Sequence, residues 1–288
     1  FFMIIWIASY PKSGNTWVRS FLNSLIFSKD GNADLNSISK IGQYPLRSQF
    51  KGLIDDIDDI HKLAECWDSS QSKINLDNKI KFFKTHHVMC NYGNHSFTNY
   101  ENTLGTIYIV RDPRNVITSL KNHFIKENYE EAKKFIMDKH KVIGRNLDEK
   151  KKINFEDSEI LTFISSWKNH YNSWKSLKKN LLIIKYEELI SNSVKEFEKI
   201  RKYLEEKLNL KFGDSKFNRA IETNSFENLK KYEEKYGFKE SIKDKNTGLN
   251  KKFFNLGPKN DWKNLLDKQI RFELEENFKK EMEELNYI

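Results

Sequence analysis

A turn near the N-terminus, PKSGNTW at residues 11–17, combines a lysine, two hydroxyl residues and a glycine. It follows an apolar run and precedes an amphipathic run. A strand that leads through a tight turn into a helix presents unpaired N–H groups and the positive end of the helix dipole, which together bind anions. In a Walker A loop, GxxxxGK[ST], lysine directly follows the second glycine. Here Asn15 follows Gly14 and Lys12 precedes it, so Lys12 is predicted to reach the outermost group of the bound anion.

A second segment, YIVRDPRNVITSLKNHF at residues 108–124, contains two further groups suited to a phosphate. Arg111 ends an apolar strand-like run, and Ser119 follows it on a predicted helix. An arginine at a strand end and a hydroxyl on the adjoining helix can converge on one phosphate, which the guanidinium contacts through two N–H groups. The segment is therefore a candidate second anion site.

The elements that carry these residues alternate between strands and helices. This pattern predicts an α/β fold with a mostly parallel sheet and helices on both faces. The predicted strands are Met3–Ala8, Lys79–Thr85, Thr106–Val110 and Leu181–Lys185. The predicted helices are Asn15–Phe27, Pro113–Phe124, Ile160–Leu177, Val194–Lys207 and Asp267–Leu285.

We expect one domain over residues 1–288, with excursions near 29–78, 126–157 and 241–258. In a doubly wound fold such excursions commonly cover the ligand crevice at the carboxyl ends of the strands. Acceptor recognition is therefore expected in them.

The composition indicates a globular protein, because 38% of the residues are hydrophobic and 32% are charged. The formal charge of +9 favours an anionic partner, but the lysines are dispersed among Glu and Asp. That dispersal indicates a solvated surface and no nucleic-acid partner.

Cys66 and Cys90 form no CxxC pair and suit a reducing cytoplasm, although the sequence does not decide whether they form a disulfide. The N-terminal apolar run is shorter than the roughly 18 residues of a transmembrane helix and lacks signal-peptide features.

Six stretches resemble, in order, the motifs of cytosolic-type sulfotransferases, which use 3′-phosphoadenosine 5′-phosphosulfate (PAPS). YPKSGNTW resembles the 5′-phosphosulfate loop of that family, and the segment from Arg111 to Ser119 resembles its 3′-phosphate-binding segment. KTH, ending at His86, resembles the strand end that carries the catalytic histidine. The other three are LLIIKYEEL with Tyr186, NSF at 224–226 and NLGPKNDWKNLL from Asn255. The matches run from residue 7 to about residue 265, and the Asn-, Lys- and Ile-rich composition is typical of AT-rich microbial genomes.

The resemblance implies a P-loop-like three-layer fold and in-line transfer of the sulfuryl group from PAPS to a hydroxyl or amine, with no required metal. It assigns His86 as the base and Lys12 as the group that stabilises the leaving phosphate. Lys84 lies two residues before His86 and on the same face of the predicted strand, so it is expected to add positive charge at the sulfuryl group. The product would be 3′-phosphoadenosine 5′-phosphate (PAP), and the acceptor a small molecule, a lipid or a glycan. The implied cofactor contacts are Lys12, Ser13, Gly14, Asn15, Thr16, Trp17, Arg111, Ser119, Tyr186, Phe226 and Gly257.

The chain departs from the family pattern in its C-terminal glycine loop. The family usually places an Arg-Lys pair before the first glycine, where this chain has Asn255 and Leu256. Lys251, Lys252 or Lys259 are candidates to replace the lost cations. The family's C-terminal dimer motif is not visible after Trp262, so the oligomeric state stays open.

Other interpretations remain at this point. A P-loop kinase or NTPase would need a Mg²⁺-binding carboxylate, for which Asp112 is the nearest candidate. A catalytically weak nucleotide-binding protein would fit the altered glycine loop. Four side chains have metal-ligating chemistry but match no structural zinc spacing: His86, His87, Cys90 and His95. An apolar acceptor pocket could be lined by Trp67, Phe83, Phe97 and Tyr100.

Overall fold

The computed structural model describes residues 3–123, 128–144, 160–241, 252–254 and 256–288. The strands of the central sheet are β1 Ile4–Ser9, β2 Gly42–Gln43, β3 Lys81–Thr85, β6 Thr103–Val110 and β9 Leu181–Lys185. Their order across the sheet is β2-β3-β1-β6-β9. Strands β1 and β2 both pair in parallel with β3. The predicted mostly parallel α/β sheet is therefore confirmed. The ends of each predicted strand differ by at most three residues from the ends of an observed strand.

Two small antiparallel ribbons accompany the sheet. They pair β4 Asn91–Tyr92 with β5 His95–Ser96, and β7 Val142–Ile143 with β8 Thr162–Phe163. The helices are α1 Asn15–Leu22, α2 Ile60–Glu65, α3 Trp67–Asn75, α4 Pro113–His123, α5 Tyr129–Met137, α6 Trp167–Trp174, α7 Tyr186–Ser191, α8 Ser193–Leu208, α9 Asp214–Thr223, α10 Phe226–Tyr236, α11 Trp262–Leu265 and α12 Lys268–Glu284. No helix in the described part of the chain combines the length and apolarity needed to cross a membrane.

The chain divides into two compact units. The first comprises Phe1–Tyr10, Ile41–Tyr108 and Met137–Ile183. Its core is aromatic: Trp6 packs edge-on against Tyr44 with ring centroids 5.4 Å apart and donates its indole N–H to Thr103. Trp67 and Phe97 are fully buried in the same cluster. These two residues are thus core residues, whereas Tyr100 is half exposed and donates to the Ser176 carbonyl.

The second unit comprises Pro11–Lys40, Ile109–Ile136 and Ile184–Ile288. Its core packs α1 against α8, where Phe21 stacks on Phe197 with ring centroids 3.9 Å apart. Helix α1 continues into a π-helical turn, Asn23–Phe27, so helical backbone covers the whole predicted range Asn15–Phe27. All the predicted cofactor-binding residues belong to this unit, and His86 and Lys84 belong to the first.

The predicted helix Ile160–Leu177 is wrong at its beginning. Residues 162–163 form β8, and α6 starts only at Trp167. The cause is local, because Ser165 has a left-handed backbone (φ 56°) and the Ser166 hydroxyl caps the helix by accepting from the Asn169 N–H. Helix α5 lies within the predicted excursion 126–157, of which residues 126–127 and 145–157 are outside the described part. The excursion 241–258 is largely outside it as well.

Candidate active site

The turn after β1 has an unusual backbone at Lys12. Its φ is 68°, a left-handed conformation that is uncommon for a residue with a side chain and costs about 1–3 kcal/mol. The Arg111 Nη1 donates a hydrogen bond to the Lys12 carbonyl over 2.9 Å and so holds this conformation. Two residues that the sequence assigned to separate motifs therefore support one another directly.

Tyr186, the first residue of α7, packs against the same turn. Gly14 has φ 99°, and a Cβ atom placed there would overlap the Tyr186 ring. The guanidinium of Arg111 lies 4.2 Å from the centroid of that ring, within the range of a cation–π contact. Lys12, Gly14, Arg111 and Tyr186 therefore form one cluster, which we call the turn cluster.

The N-terminus of α1 begins at Asn15, directly after Gly14 of the turn cluster. Gly14 precedes the helix without any side-chain cap, and its carbonyl accepts from the N–H groups of Trp17 and Val18. The Ser13 hydroxyl is fully buried and has no hydrogen-bond partner among the described residues. A buried hydroxyl without a partner is unfavourable by about 1–3 kcal/mol, and an anionic oxygen would relieve that penalty. These groups fit a phosphate or a sulfate.

Thr16 and Arg19 of α1 share one carboxylate. The Thr16 hydroxyl donates to Glu240 Oε2 over 3.0 Å, and Arg19 Nη1 donates to Glu240 Oε1 over 2.7 Å. Sequence reasoning missed Glu240, because 224 residues separate it from Thr16 and no motif marks it. The hydroxyl that would bind Mg²⁺ in a Walker A loop is here a donor to a carboxylate.

Trp17 is held by three neighbours. Its indole N–H donates to the Asn224 carbonyl over 2.7 Å, and its ring meets Tyr186 and Phe197 edge-on, with centroids 6.0 and 5.9 Å apart. Asn224 opens the NSF motif, so the first and fifth motifs are in contact.

Phe226 of the NSF motif and Gly257 of the C-terminal glycine loop are in contact. Phe226 is the first residue of α10, and a Cβ atom on Gly257 would overlap its ring. Of the two departures from the family pattern, Asn255 lies outside the described residues and Leu256 is half-buried. Lys252 pairs with Glu234 over 2.9 Å.

Phe253 is a further residue that sequence reasoning missed. The ammonium of Lys12 lies 4.6 Å from the centroid of the Phe253 ring. Glu233 of α10 holds this segment, because its carboxylate accepts from the N–H groups of Phe253 and Phe254 over 2.7 and 2.9 Å. The side chain of Lys12 therefore has a defined place above an aromatic face.

The residues after Arg111 have structural partners. Both carboxylate oxygens of Asp112 accept from Arg114, which also lies 3.8 Å from the Trp262 ring centroid. Glu187 accepts from the Asp112 N–H, and burial raises the pKa of the Glu187 carboxyl. Ser119 is half-buried on α4.

His86 follows β3 in the first unit, next to the end of β1, because Ala8 pairs with Thr85 in the parallel register. Its Nδ1 lies 2.7 Å from the Ser9 carbonyl oxygen and 3.3 Å from the Ser9 hydroxyl. A carbonyl oxygen only accepts, so Nδ1 carries the proton in the neutral ring and the lone pair is on Nε2. This tautomer offers Nε2 as the base. Lys84 is half-buried within β3, and its carbonyl accepts from the Tyr44 N–H.

His87 is a fully buried core residue. Its ring stacks on Phe97 with centroids 4.0 Å apart, and burial lowers its pKa to about 3. Its neutral ring donates through Nδ1 to the Val88 carbonyl over 2.7 Å. Within the part of the chain that the structure describes, no group of three or more His, Cys, Asp or Glu side chains is arranged to hold a metal ion.

Comparison with known proteins identifies the family. A model of the sulfotransferase domain matches residues 4–286. Mouse sulfotransferase SULT7A1, solved with PAP, aligns with a TM-score of 0.55 and 19% identity over 97% of this chain and 84% of that chain. Retinol dehydratase, solved with androsterone and PAP, aligns with a TM-score of 0.58 and 16% identity over 97% of this chain and 80% of that chain. No curated protein sequence matches significantly. The two structures confirm the fold, and the family match over nearly the whole length shows that the chain belongs to the sulfotransferase domain family.

Proposed function

We propose that this sulfotransferase binds PAPS at the turn cluster and passes its sulfuryl group to a hydroxyl or amine of a small molecule, lipid or glycan. The observation that carries the proposal is the convergence of Lys12, Gly14, Arg111 and Tyr186 at the N-terminus of α1. The buried Ser13 hydroxyl adds a donor that an anion would satisfy. Two cations, one hydroxyl and the helix N–H groups suit a nucleotide that carries separate phosphate groups.

The roles within the cofactor site follow from these groups. The N–H groups of Gly14, Asn15 and Thr16, with the Ser13 hydroxyl, would cradle the 5′-phosphate. Arg111 and Ser119 would contact the 3′-phosphate. Three aromatic side chains would contact the adenine or its ribose, namely Trp17, Tyr186 and Phe226.

In the reaction, the acceptor oxygen or nitrogen forms a bond to sulfur while the bond from sulfur to the bridging oxygen breaks. His86 Nε2 takes the acceptor proton, since the Ser9 carbonyl keeps the Nδ1 proton in place. When the bond between sulfur and the bridging oxygen breaks, its electron pair stays on that oxygen of PAP, and Lys12 stabilises the negative charge that develops there. Lys84 adds positive charge. The products are the sulfated acceptor, PAP and a proton.

A P-loop kinase is less well supported. Its Walker A hydroxyl and an Asp would hold Mg²⁺, whereas here Thr16 donates to Glu240 and Asp112 is paired through both oxygens with Arg114. The family match also favours sulfuryl transfer.

The first test is calorimetric titration of the wild type and of Arg111→Ala with PAP and with ADP, each with and without Mg²⁺. We expect metal-independent binding of PAP, weaker binding of ADP, and a PAP affinity at least about 10-fold lower in the variant, because a charge-assisted contact is worth about 1.5–3 kcal/mol. Arg219→Ala, which removes an exposed arginine of α9, is the matched control and should bind PAP as the wild type does. Equal affinity for PAP and ADP, or a requirement for Mg²⁺, would refute the proposed cofactor site.

The second test replaces the proposed base by His86→Gln. We expect kcat for release of PAP from PAPS, with a panel of simple phenols and alcohols as acceptor probes, to fall about 10²–10⁴-fold. The affinity for PAP should not change, because the variant keeps every residue of the turn cluster. A variant with wild-type kcat would show that His86 is not the base.

A further inference from the structure

Helix α6 bonds to the backbone of the segment that carries His86. His170 Nε2 lies 3.1 Å from the His86 carbonyl oxygen, and the Trp174 indole N–H donates to the His87 carbonyl over 3.0 Å. The Ser173 hydroxyl accepts from the Met89 N–H over 3.0 Å. Residues three and four apart lie on one face of a helix, so a single face of α6 makes all three bonds.

The protonation state of His170 follows from its two partners. The His86 carbonyl only accepts, so His170 Nε2 carries the proton and Nδ1 accepts from the Tyr108 hydroxyl, 2.8 Å away. Tyr108 and His170 are both buried, and burial lowers the pKa of His170 to about 3. The ring is therefore neutral near pH 7, with its proton on Nε2.

We propose that His170 is a positioning residue, which holds the His86 carbonyl so that the His86 ring keeps its Nδ1 bond to Ser9 and presents Nε2 to the acceptor. This inference rests on the role of His86 under the proposed function. The path runs from the Tyr108 hydroxyl through the His170 ring to the His86 backbone, and from the His86 ring to the Ser9 carbonyl. Both ends of His86 are thus held, the backbone by α6 and the ring by β1.

The proposal has a spectroscopic consequence. If the His86 carbonyl loses its donor, the segment shifts and the Nδ1–H bond to Ser9 weakens. The ring then moves toward the Nε2–H tautomer, which an unconstrained histidine side chain favours and which places the proton on the nitrogen that must accept the acceptor proton. A residue that only filled space in the core would not affect this tautomer.

The test is ¹⁵N NMR of the histidine rings in the wild type, His170→Phe and His170→Gln. We expect the Nδ1–H form of His86 in the wild type, a loss of that form in His170→Phe, and its return in His170→Gln, whose amide N–H replaces the Nε2 donor. Asn172→Ala, an exposed position on α6, is the control and should leave the spectrum of His86 unchanged. If His170→Phe does not fold, Tyr108→Phe and Ser173→Ala remove single bonds of the same network, and each should reduce the Nδ1–H form.

Kinetics and PAP binding separate the positioning role of His170 from the proposed sulfuryl transfer. With PAPS and a simple phenol as the acceptor probe, His170→Phe should lower kcat about 10–100-fold with an unchanged KM for PAPS, and His170→Gln should restore most of it. A folded His170→Phe that keeps the wild-type tautomer of His86 overturns the positioning role. The expected tautomer shift in a protein that binds no PAP would support the positioning contact and would refute the proposed function alone.

Discussion

Gly14 illustrates how one residue limits the candidate site. Its φ of 99° lies in the left-handed region, and any Cβ atom would overlap the Tyr186 ring. Both constraints arise at the point where the backbone would approach the 5′-phosphate under the proposed function. Lys12 adopts a left-handed conformation two residues earlier without being glycine, and the Arg111 bond to its carbonyl offsets that strain.

We predict that Gly14→Ala lowers the free energy of unfolding by about 1–3 kcal/mol and the affinity for PAP at least about 10-fold, because the Tyr186 ring must move. Urea denaturation and calorimetry would measure the two effects. Gly52→Ala is the control, since Gly52 also has a positive φ (76°) but a Cβ atom there meets nothing within 4 Å. Equal losses in both variants would mean that backbone strain, and not the contact with Tyr186, causes the effect.

The motifs around these residues could be read from the sequence, because each is a local run with its own spacing. Their partners could not. Glu240 and Phe253 belong to no recognised motif, and only the fold brings them to Thr16 and Lys12. The contact between Ser9 and His86 had a weak signal in the sequence, since parallel pairing of the two predicted strands that precede them places the strand ends side by side.

At the scale of elements, α10 organises the part of the proposed cofactor site that contains Phe226 and Gly257. Ser225 caps it by accepting from the Asn228 N–H, and Phe226 opens it against Gly257. One turn before its end, Glu233 accepts from the Ser241 hydroxyl and from two backbone N–H groups of the segment 252–254. This helix was not predicted from the sequence, which marked only the NSF motif before it.

We predict that Glu233→Gln releases the segment 252–254 from α10, because an amide nitrogen cannot accept a hydrogen bond and leaves one buried N–H unpaired, at about 1–3 kcal/mol. Hydrogen exchange of residues 252–254 should accelerate and PAP binding should weaken, since Phe253 lies beneath Lys12. Glu234→Gln changes the neighbouring carboxylate, which pairs with Lys252, and should leave both measurements near wild type. Unchanged exchange in Glu233→Gln would contradict the anchoring role.

At the scale of the whole molecule, two buried neutral histidines link stability to pH. Burial lowers the pKa values of His87 and His170 to about 3, below the ordinary value of 6.5. The unfolded chain therefore binds protons between pH 6.5 and pH 3 that the folded chain does not bind, so stability falls as the pH falls through this window.

For these two residues together we predict a loss of about 4 kcal/mol in the free energy of unfolding between pH 7 and pH 5. His170→Gln should lose about 2 kcal/mol less than the wild type over the same interval, because one titrating group is gone. Urea denaturation at pH 7, 6 and 5 measures the difference, with His95→Gln, an exposed histidine, as the control. If the free energy of unfolding had the same pH dependence in His170→Gln and in the wild type, the lowered pKa of His170 in the folded protein would be contradicted.

The sequence by itself determined the fold class, the family and the order of the binding motifs. The fold class depends on the periodicity of strands and helices, and the family on six local motifs that resemble those of the sulfotransferases. It misplaced the start of α6, where a left-handed serine interrupts the pattern. Only the tertiary structure decided which groups hold the candidate site residues: Arg111 on the Lys12 carbonyl, Glu240 on Thr16, and Ser9 and His170 on His86. The physical reason is that a hydrogen bond depends on distance and direction in space, and residues far apart in the chain acquire these only when the sheet and helices have packed.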